Sequence, residues 1–198
     1  MNTAKWSRRI IFVFVGWMVI SLLSSGCAGK RTWVLIDQYK PQFSKDWNQY
    51  KGKSIYLMNF DNQANDTSIW YYFSRDQKFS YGTHYAIHSY FWQAFNEAFV
   101  KAGMAVSSVD NPDLTAPSMW ITLRSITDER YQVRVAGQQK GETIFIKDSA
   151  IEESLPPEAD RNPADLAQRA YRMTNKLVET VLGDPEFQRA VTEPLQSK

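Results

Sequence analysis

Alternating apolar and polar residues in the middle of the chain predict a set of strands. Residues 53–60 carry apolar side chains on both faces of an extended segment, which is typical of a central strand. Residues 119–127 alternate more strictly, and residues 131–135 and 144–146 lie on either side of a glycine-bearing turn. A further short apolar run at 104–109 completes the set, so these segments predict the strands of one sheet.

Two longer segments have apolar residues at three- and four-residue steps and predict helices. The first covers residues 84–102, with Thr83 as the expected N-cap. The second covers residues 163–182, with Asn162 as the N-cap and Pro163 in the first helical position. Its apolar stripe is formed by Leu166, Ala170, Met173, Leu177 and Val181. A short third helix is expected to follow the second one.

The order of these elements is strand, helix, strand, three strands and then helices. This order predicts an α+β fold of the α/β-sandwich type, with a mixed sheet of about four to six strands and two main helices on one face. The first strand–helix–strand unit predicts a right-handed parallel crossover, to which the later strands add as an antiparallel meander. We expect Phe91, Phe95 and Leu177 to pack between the sheet and the helices.

The first 26 residues have the organisation of a secretory signal. A basic start precedes an apolar run over residues 10–23, and small residues follow directly before Cys27. As a helix, this run would reach about 21 Å, which is short of the ~30 Å hydrocarbon core of a membrane. We therefore predict cleavage before Cys27, while an uncleaved signal anchor and a free secreted form remain open alternatives.

A cysteine at this position resembles the lipobox of bacterial lipoproteins. The resemblance implies that Cys27 is acylated on its sulfur and on the new amino terminus. It therefore implies a protein outside the cytoplasm that is held on a membrane by lipid. Ala28 follows the cysteine, where an Asp retains enteric-type lipoproteins at the inner membrane. This favours the periplasmic face of the outer membrane, or the cell membrane in an organism without an outer membrane.

Charge and cysteine usage exclude several other classes of protein. The chain has 23 Lys and Arg and 21 Asp and Glu residues. Because Lys5, Arg8 and Arg9 lie in the leader, the remainder is almost neutral and gives no reason to expect nucleic-acid binding. Exported domains often use disulfides, but the single cysteine is the predicted acylation site. Stability must then come from packing, which the aromatic content of 14% supports.

We divide the chain into a signal peptide at 1–26, a lipid-anchored tether at 27–52 and a single globular domain at 53–198. The tether is polar and mixed, with at most one short strand or turn near Trp33. Within the domain, residues 61–66 and 76–83 are expected to be polar connections.

The segment between these connections is unusually aromatic. The aromatic residues in and after it are Trp70, Tyr71, Tyr72, Phe73, Phe79, Tyr81, Tyr85, Tyr90, Phe91 and Trp92. Most of them could fill the core beneath a long loop. We instead predict an ordered surface element whose Trp70-Tyr71-Tyr72 run contributes to a partner-binding site, because loops of this length are usually functional or disordered and Trp and Tyr are typical anchors.

The inventory of catalytic residues is small. His84 and His88 are one helical turn apart, but Tyr85 stands where a zincin pattern needs glutamate, so we predict no metal site and no cofactor. Asp61, Asp66 and Asp76 surround the aromatic segment and could act as paired acids in glycoside chemistry, although Asp is also an ordinary turn residue.

Short motifs in the domain resemble a group of small bacterial envelope lipoproteins. The strand Ile55–Phe60, the helix end Phe95–Val106 and the tail Val181–Phe187 resemble the YajG-like, LptE-like and LpoB-like lipoproteins and the amino-terminal domain of TolB. The resemblance covers roughly residues 53–191. It implies a sheet with two long helices on one face and a role as an envelope accessory protein, and it transfers no active site.

These observations lead to one main hypothesis and one alternative. The main hypothesis is a lipid-anchored, non-enzymatic lipoprotein that binds another envelope component as an accessory or assembly factor. The alternative is a module that binds or hydrolyses cell-wall carbohydrate. An exposed stack of Trp70, Tyr71 and Tyr72 beside two acids in a groove would favour the alternative.

Overall fold

The computed structural model describes residues 31–65, 67–109, 113 and 115–193. Its strands are β1 (Thr32–Ile36), β2 (Ser54–Leu57), β3 (Asp61–Asn62), β4 (Tyr71–Phe73), β5 (Phe79–Thr83), β6 (Ala105–Ser107), β7 (Ser118–Ile126), β8 (Arg130–Gln139) and β9 (Glu142–Glu152). Its α-helices are α1 (Ile87–Lys101), α2 (Pro163–Gly183) and α3 (Pro185–Thr192), and short 3-10 helices lie at Asn48–Tyr50 and Glu158–Asp160.

The larger sheet is mixed and has six strands. Its order is β6-β2-β7-β8-β9, and β3 also pairs with β7. The strand β2 is parallel to both β6 and β7, whereas β7, β8 and β9 form the antiparallel meander that the sequence predicts. A two-residue turn joins β8 to β9, with Lys140 and Gly141 at φ angles of 53° and 81°. This turn is tighter than expected, because both residues adopt the left-handed conformation of a hairpin turn.

The smaller sheet was not expected from the sequence. It has the order β1-β5-β4, with β1 parallel and β4 antiparallel to β5. The strand β5 lies in a segment predicted to be a connection, because its central residues Ser80 and Gly82 conceal the alternation of Phe79 and Tyr81.

The helices pack against one face of the larger sheet. That face is formed by alternate, buried residues of β7 and β8, including Met119, Ile121, Val133 and Val135. From the helices, Phe91, Phe95 and Leu177 are at most 1% exposed and belong to the same core cluster. The α+β fold with a mixed sheet and helices is therefore confirmed, and so is this part of the predicted core.

The two long helices differ in how well their beginnings follow the sequence. Asn162 caps α2, since its side chain accepts a hydrogen bond from the backbone N–H of Asp165 at 3.0 Å. The predicted cap of α1 at Thr83 is wrong, because Thr83 is the last residue of β5. Its hydroxyl bonds the backbone of Tyr85, and the helix begins only at Ile87.

The domain begins earlier than predicted. A compact unit starts at Thr32 rather than at residue 53. The strand β1 pairs along its whole length with β5, and Tyr39, Trp47 and Tyr50 are each at most 3% exposed. Residues 32–52 are therefore part of the domain, and the predicted tether shortens to 27–31. Cys27 and the predicted signal peptide lie outside the described residues.

None of the helices in the described part of the chain is long and apolar enough to span a membrane.

Candidate interaction surface

The outer face of the smaller sheet is aromatic and aliphatic. Residues on β1 and β4 alternate between the core and this face, which places Val34, Ile36 and Tyr72 inside. The outward residues are Trp33, Leu35, Tyr71 and Phe73, and we call them the sheet face. Trp33 is 52% exposed and Leu35 is 44% exposed, whereas Tyr71 and Phe73 are half-buried.

Small residues on the central strand allow the indole of Trp33 to lie close against the backbone. In the register of the sheet, Ser80 and Gly82 of β5 lie between the outward residues of β1 and β4. A Cβ atom at Gly82 would lie only 2.4 Å from the indole of Trp33, so the ring covers the backbone there. The same ring meets Tyr71 edge-on with centroids 5.5 Å apart, and Tyr71 meets Phe73 at 5.2 Å. The rings therefore form one continuous surface.

A second apolar group lies at the turn that precedes β4. We call Ile69, Trp70 and Tyr85 the turn patch; their exposed fractions are 65%, 56% and 38%. The backbone N–H of Ser68 donates to the carbonyl of Tyr71 at 2.8 Å and closes the turn. The carbonyl of Ile69 accepts the N–H of Ile87 at 2.8 Å, which ties the turn to the start of α1. The patch is therefore presented by an ordered turn.

Tyr72 does not belong to either surface, and its prediction as an exposed contact residue is wrong. It is 1% exposed and stacks on Tyr81 with ring centroids 4.9 Å apart. Its hydroxyl shares a hydrogen bond with that of Tyr131 on β8. Burial raises the pKa of both phenols in this pair well above the ordinary value. Because adjacent strand residues face opposite sides, Tyr72 must point inward where Tyr71 points outward.

A cluster of charged groups holds the loop between β4 and β5 against the turn between β7 and β8. The backbone N–H of Arg75 donates to Asp128 Oδ1 at 2.9 Å. Asp128 is 2% exposed, and burial raises the pKa of its carboxyl, although the N–H of Arg75 acts in the opposite direction. The buried guanidinium of Arg169 donates to the backbone carbonyls of Asp128 and Glu153. Together with the tyrosine pair, these contacts fix the smaller sheet on the larger one.

The outer face of the larger sheet has a different chemistry. Arg134 of β8 makes two hydrogen bonds to Asp148 of β9, at 2.9 and 2.8 Å, and Arg130 pairs with Glu152 at 2.7 Å. Ile146 is an exception to this polar character, since it is 58% exposed. Ion pairs and polar side chains are ordinary on a sheet face that meets water. An apolar surface such as the sheet face of the smaller sheet is not ordinary on a sheet face that meets water.

The candidate acids and histidines do not form a catalytic arrangement in the described residues. Asp61 accepts a hydrogen bond from Gln63 at 2.6 Å, and Asp76 pairs with Arg161 at 3.2 Å. His84 lies in the loop before α1 and His88 lies within the helix, both exposed. Among the described residues, no group of three or more His, Cys, Asp or Glu side chains is placed to hold a metal ion. Asp66 is outside the described residues.

Sequence reasoning therefore found part of this surface and missed part of it. Trp70 and Tyr71 were predicted and reach the surface. Trp33 and Leu35 lie in the segment predicted to be a tether, although Trp33–Ile36 is an uninterrupted apolar run in the sequence. Ile69 carried no signal of its own, since only the turn makes it prominent.

Comparison with known proteins bears on the fold alone. The sequence matches no family model, and no curated protein is significantly similar to it. Among solved structures, the fold is similar to that of a Xanthomonas campestris protein described under the family model DUF330. The two chains are 9% identical, the similarity covers 77% of this chain and 93% of the other, and the TM-score is 0.53.

Proposed function

We propose that the protein is a lipid-anchored envelope lipoprotein without enzymatic activity, which binds another envelope component as an accessory or assembly factor. The leader and Cys27 support the anchor, and the resemblance to small envelope lipoproteins supports the class. The predicted location is the periplasmic face of the outer membrane, or the cell membrane where no outer membrane exists.

The observation that carries the binding role is the exposed turn patch. Ile69 and Trp70 project from a hydrogen-bonded turn, and Tyr85 lies beside the start of α1. Large apolar side chains held rigidly at the surface lose little conformational entropy when a partner covers them. Trp and Tyr are also the residues that most often dominate protein interfaces. We therefore assign the main protein contact to this patch, with Trp70 at its centre.

The carbohydrate alternative loses its main support. An exposed stack of Trp70, Tyr71 and Tyr72 beside two acids in a groove would have favoured it, whereas Tyr72 is buried. Asp76 forms an ion pair with Arg161. Burial alone would raise the pKa of Asp76, but hydrogen bonds and the positive charge of Arg161 hold it below its usual value. The acid is thus suited to a structural ion pair rather than to proton donation.

The test combines mass spectrometry with crosslinking in intact membranes. The mature chain should begin at Cys27 and carry acyl groups, and an intact leader without acyl groups would contradict the proposal. A double variant, Ile69→Ala with Trp70→Ala, should lose the crosslinked partner that the wild type retains. Its matched control is Trp120→Ala with Ile146→Ala, which removes the same residue types from the outer face of the larger sheet. Equal crosslinking by both double variants would contradict the assignment of the turn patch.

A further inference from the structure

The distance along the chain from the predicted acylation site to the sheet face is very short. Thr32 is the first residue of β1, and its backbone N–H donates to the carbonyl of Lys78 at 2.9 Å. Only five residue steps separate Cys27 from Thr32. A fully extended chain spans at most ~3.3–3.6 Å per residue, so Thr32 lies within about 18 Å of the acylated cysteine. Trp33 follows directly.

The sheet face also lacks the charges that normally keep such a surface in water. The outward positions of β1, β4 and β5 hold Trp33, Leu35, Ser80, Gly82, Tyr71 and Phe73. These are aromatic, aliphatic or small residues. The outer face of the larger sheet instead carries the Arg134–Asp148 and Arg130–Glu152 pairs. Exposed apolar patches of this kind mark surfaces that are covered in the working protein.

We propose that the sheet face rests in the headgroup region of the same membrane that holds the lipid anchor. The occupant of this surface is therefore a phospholipid surface, whereas the turn patch remains the protein contact. The inference rests on the acylation of Cys27 in the proposed function. It assigns a second, non-covalent membrane contact that orients the domain.

The chemistry of the sheet face fits a membrane interface. Trp and Tyr favour the boundary between headgroups and acyl chains, because each combines an apolar ring with a polar group that stays hydrated. Leu35 and Phe73 add apolar area that can enter the upper part of the acyl region. Lys30 adds a positive charge to the short link, where anionic headgroups attract it.

The anchor makes even a weak contact of this kind effective. Because the first residue of the domain lies within about 18 Å of the acylated cysteine, the sheet face meets the headgroups at a high effective concentration and needs no strong affinity of its own. Contact through the sheet face would fix which side of the domain is turned away from the membrane. The lipid would then act as one point of attachment and the sheet face as the other.

Brominated lipids provide a direct test, because bromine quenches only tryptophans that enter the bilayer. The full chain, isolated with its lipid anchor, is reconstituted into vesicles of phosphatidylethanolamine and phosphatidylglycerol, with or without bromine near the top of the acyl chains. We expect brominated lipid to quench part of the tryptophan emission. The variant Trp33→Phe should lose most of the quenched component. The matched control Trp120→Phe and the turn-patch variant Trp70→Phe should keep it.

A second variant makes the test independent of the change at Trp33. Leu35→Asp keeps the indole but adds a charge to the sheet face, so quenching of Trp33 should fall while circular dichroism stays that of the wild type. Unchanged quenching in both variants would overturn the inference. So would a Trp33 that is protected from aqueous iodide and yet insensitive to brominated lipid, since a second copy or another protein would then cover the face.

The two proposals fail in distinguishable ways. If mass spectrometry finds no acyl groups on Cys27, the proposed anchor and the membrane contact that depends on it are both rejected. If Cys27 is acylated but Trp33 emission is the same in both kinds of vesicle, only the membrane contact of the sheet face is rejected.

Discussion

The buried pair of Tyr72 and Tyr131 offers the sharpest test of how the smaller sheet is held. Tyr72 is on β4 of the smaller sheet and Tyr131 is on β8 of the larger one, and their hydroxyls share one hydrogen bond. We consider Tyr72→Phe, Tyr131→Phe and the double variant. Each single change removes one hydroxyl and keeps the ring in place, so packing is preserved and only the hydrogen bond is lost.

The expected energies follow from burial. Both side chains are 1% exposed, so a hydroxyl that loses its partner has no access to bulk water. Leaving a buried polar group unsatisfied costs about 1–3 kcal/mol, and each single variant should lose that much stability. Replacing both partners by apolar groups of the same shape is close to neutral. The double variant should therefore lose much less than the sum of the two single variants, with a coupling energy of at least ~1 kcal/mol.

Urea unfolding monitored by circular dichroism measures these differences. The exposed Tyr85 provides a control, because Tyr85→Phe should change stability by no more than about 0.5 kcal/mol. If the losses of the two single variants simply add in the double variant, the hydroxyls do not depend on each other and the reasoning is refuted. A loss near zero in both single variants would refute it as well.

Three further predictions concern the core, the sheet face and pH. Phe95→Ala should lower the free energy of unfolding in urea by roughly 3–5 kcal/mol. Val100→Ala, on the exposed side of the same helix, should lower it by no more than about 0.5 kcal/mol. A loss below about 1 kcal/mol for Phe95→Ala would contradict the core assignment. Gly82→Ala should displace the indole of Trp33, since the new Cβ would lie 2.4 Å from it, and red-shift its emission; an unchanged spectrum would argue against this packing. Burial raises the pKa of Asp128, so the native state binds its proton more tightly than the unfolded chain does. The stability of the native state should therefore fall as the pH rises from the ordinary pKa of 3.8 through the raised pKa. Asp128→Asn cannot lose a proton, so its Tm relative to the wild type should rise across that window and then stay level, and a Tm difference that is the same at every pH would contradict this.

The elements that the sequence predicts best are those whose signals are local. The helix α2 begins at Pro163 after the Asn162 cap and ends at Gly183, within one residue of the predicted bounds. Cap, proline and apolar stripe all lie within the helix or next to it, so no distant contact is needed to identify it. The alternation in β7 and β8 is equally local, because it reflects a sheet with one covered face.

The smaller sheet depended on contacts that are distant in sequence. The strand β1 pairs with β5, more than forty residues later, and the composition of Thr32–Ile36 alone does not reveal a partner. Residues 32–52 therefore looked like a tether until the fold supplied Phe79–Thr83 as a neighbour. Trp33 and Leu35, which form half of the sheet face, were missed for the same reason.

The candidate contact residues show the same division in a single run. The sequence determined that Trp70, Tyr71 and Tyr72 form an ordered aromatic segment, and strand geometry requires adjacent side chains to face opposite sides. It did not determine which of them faces the core. The tertiary structure decided this, because Tyr81 and Tyr131 together offer a stacking partner and a hydrogen-bond partner to Tyr72. A buried hydroxyl without a partner costs stability, and the register of β4 on β5 brings Tyr72 to the ring of Tyr81 and the hydroxyl of Tyr131 while it leaves Tyr71 outside.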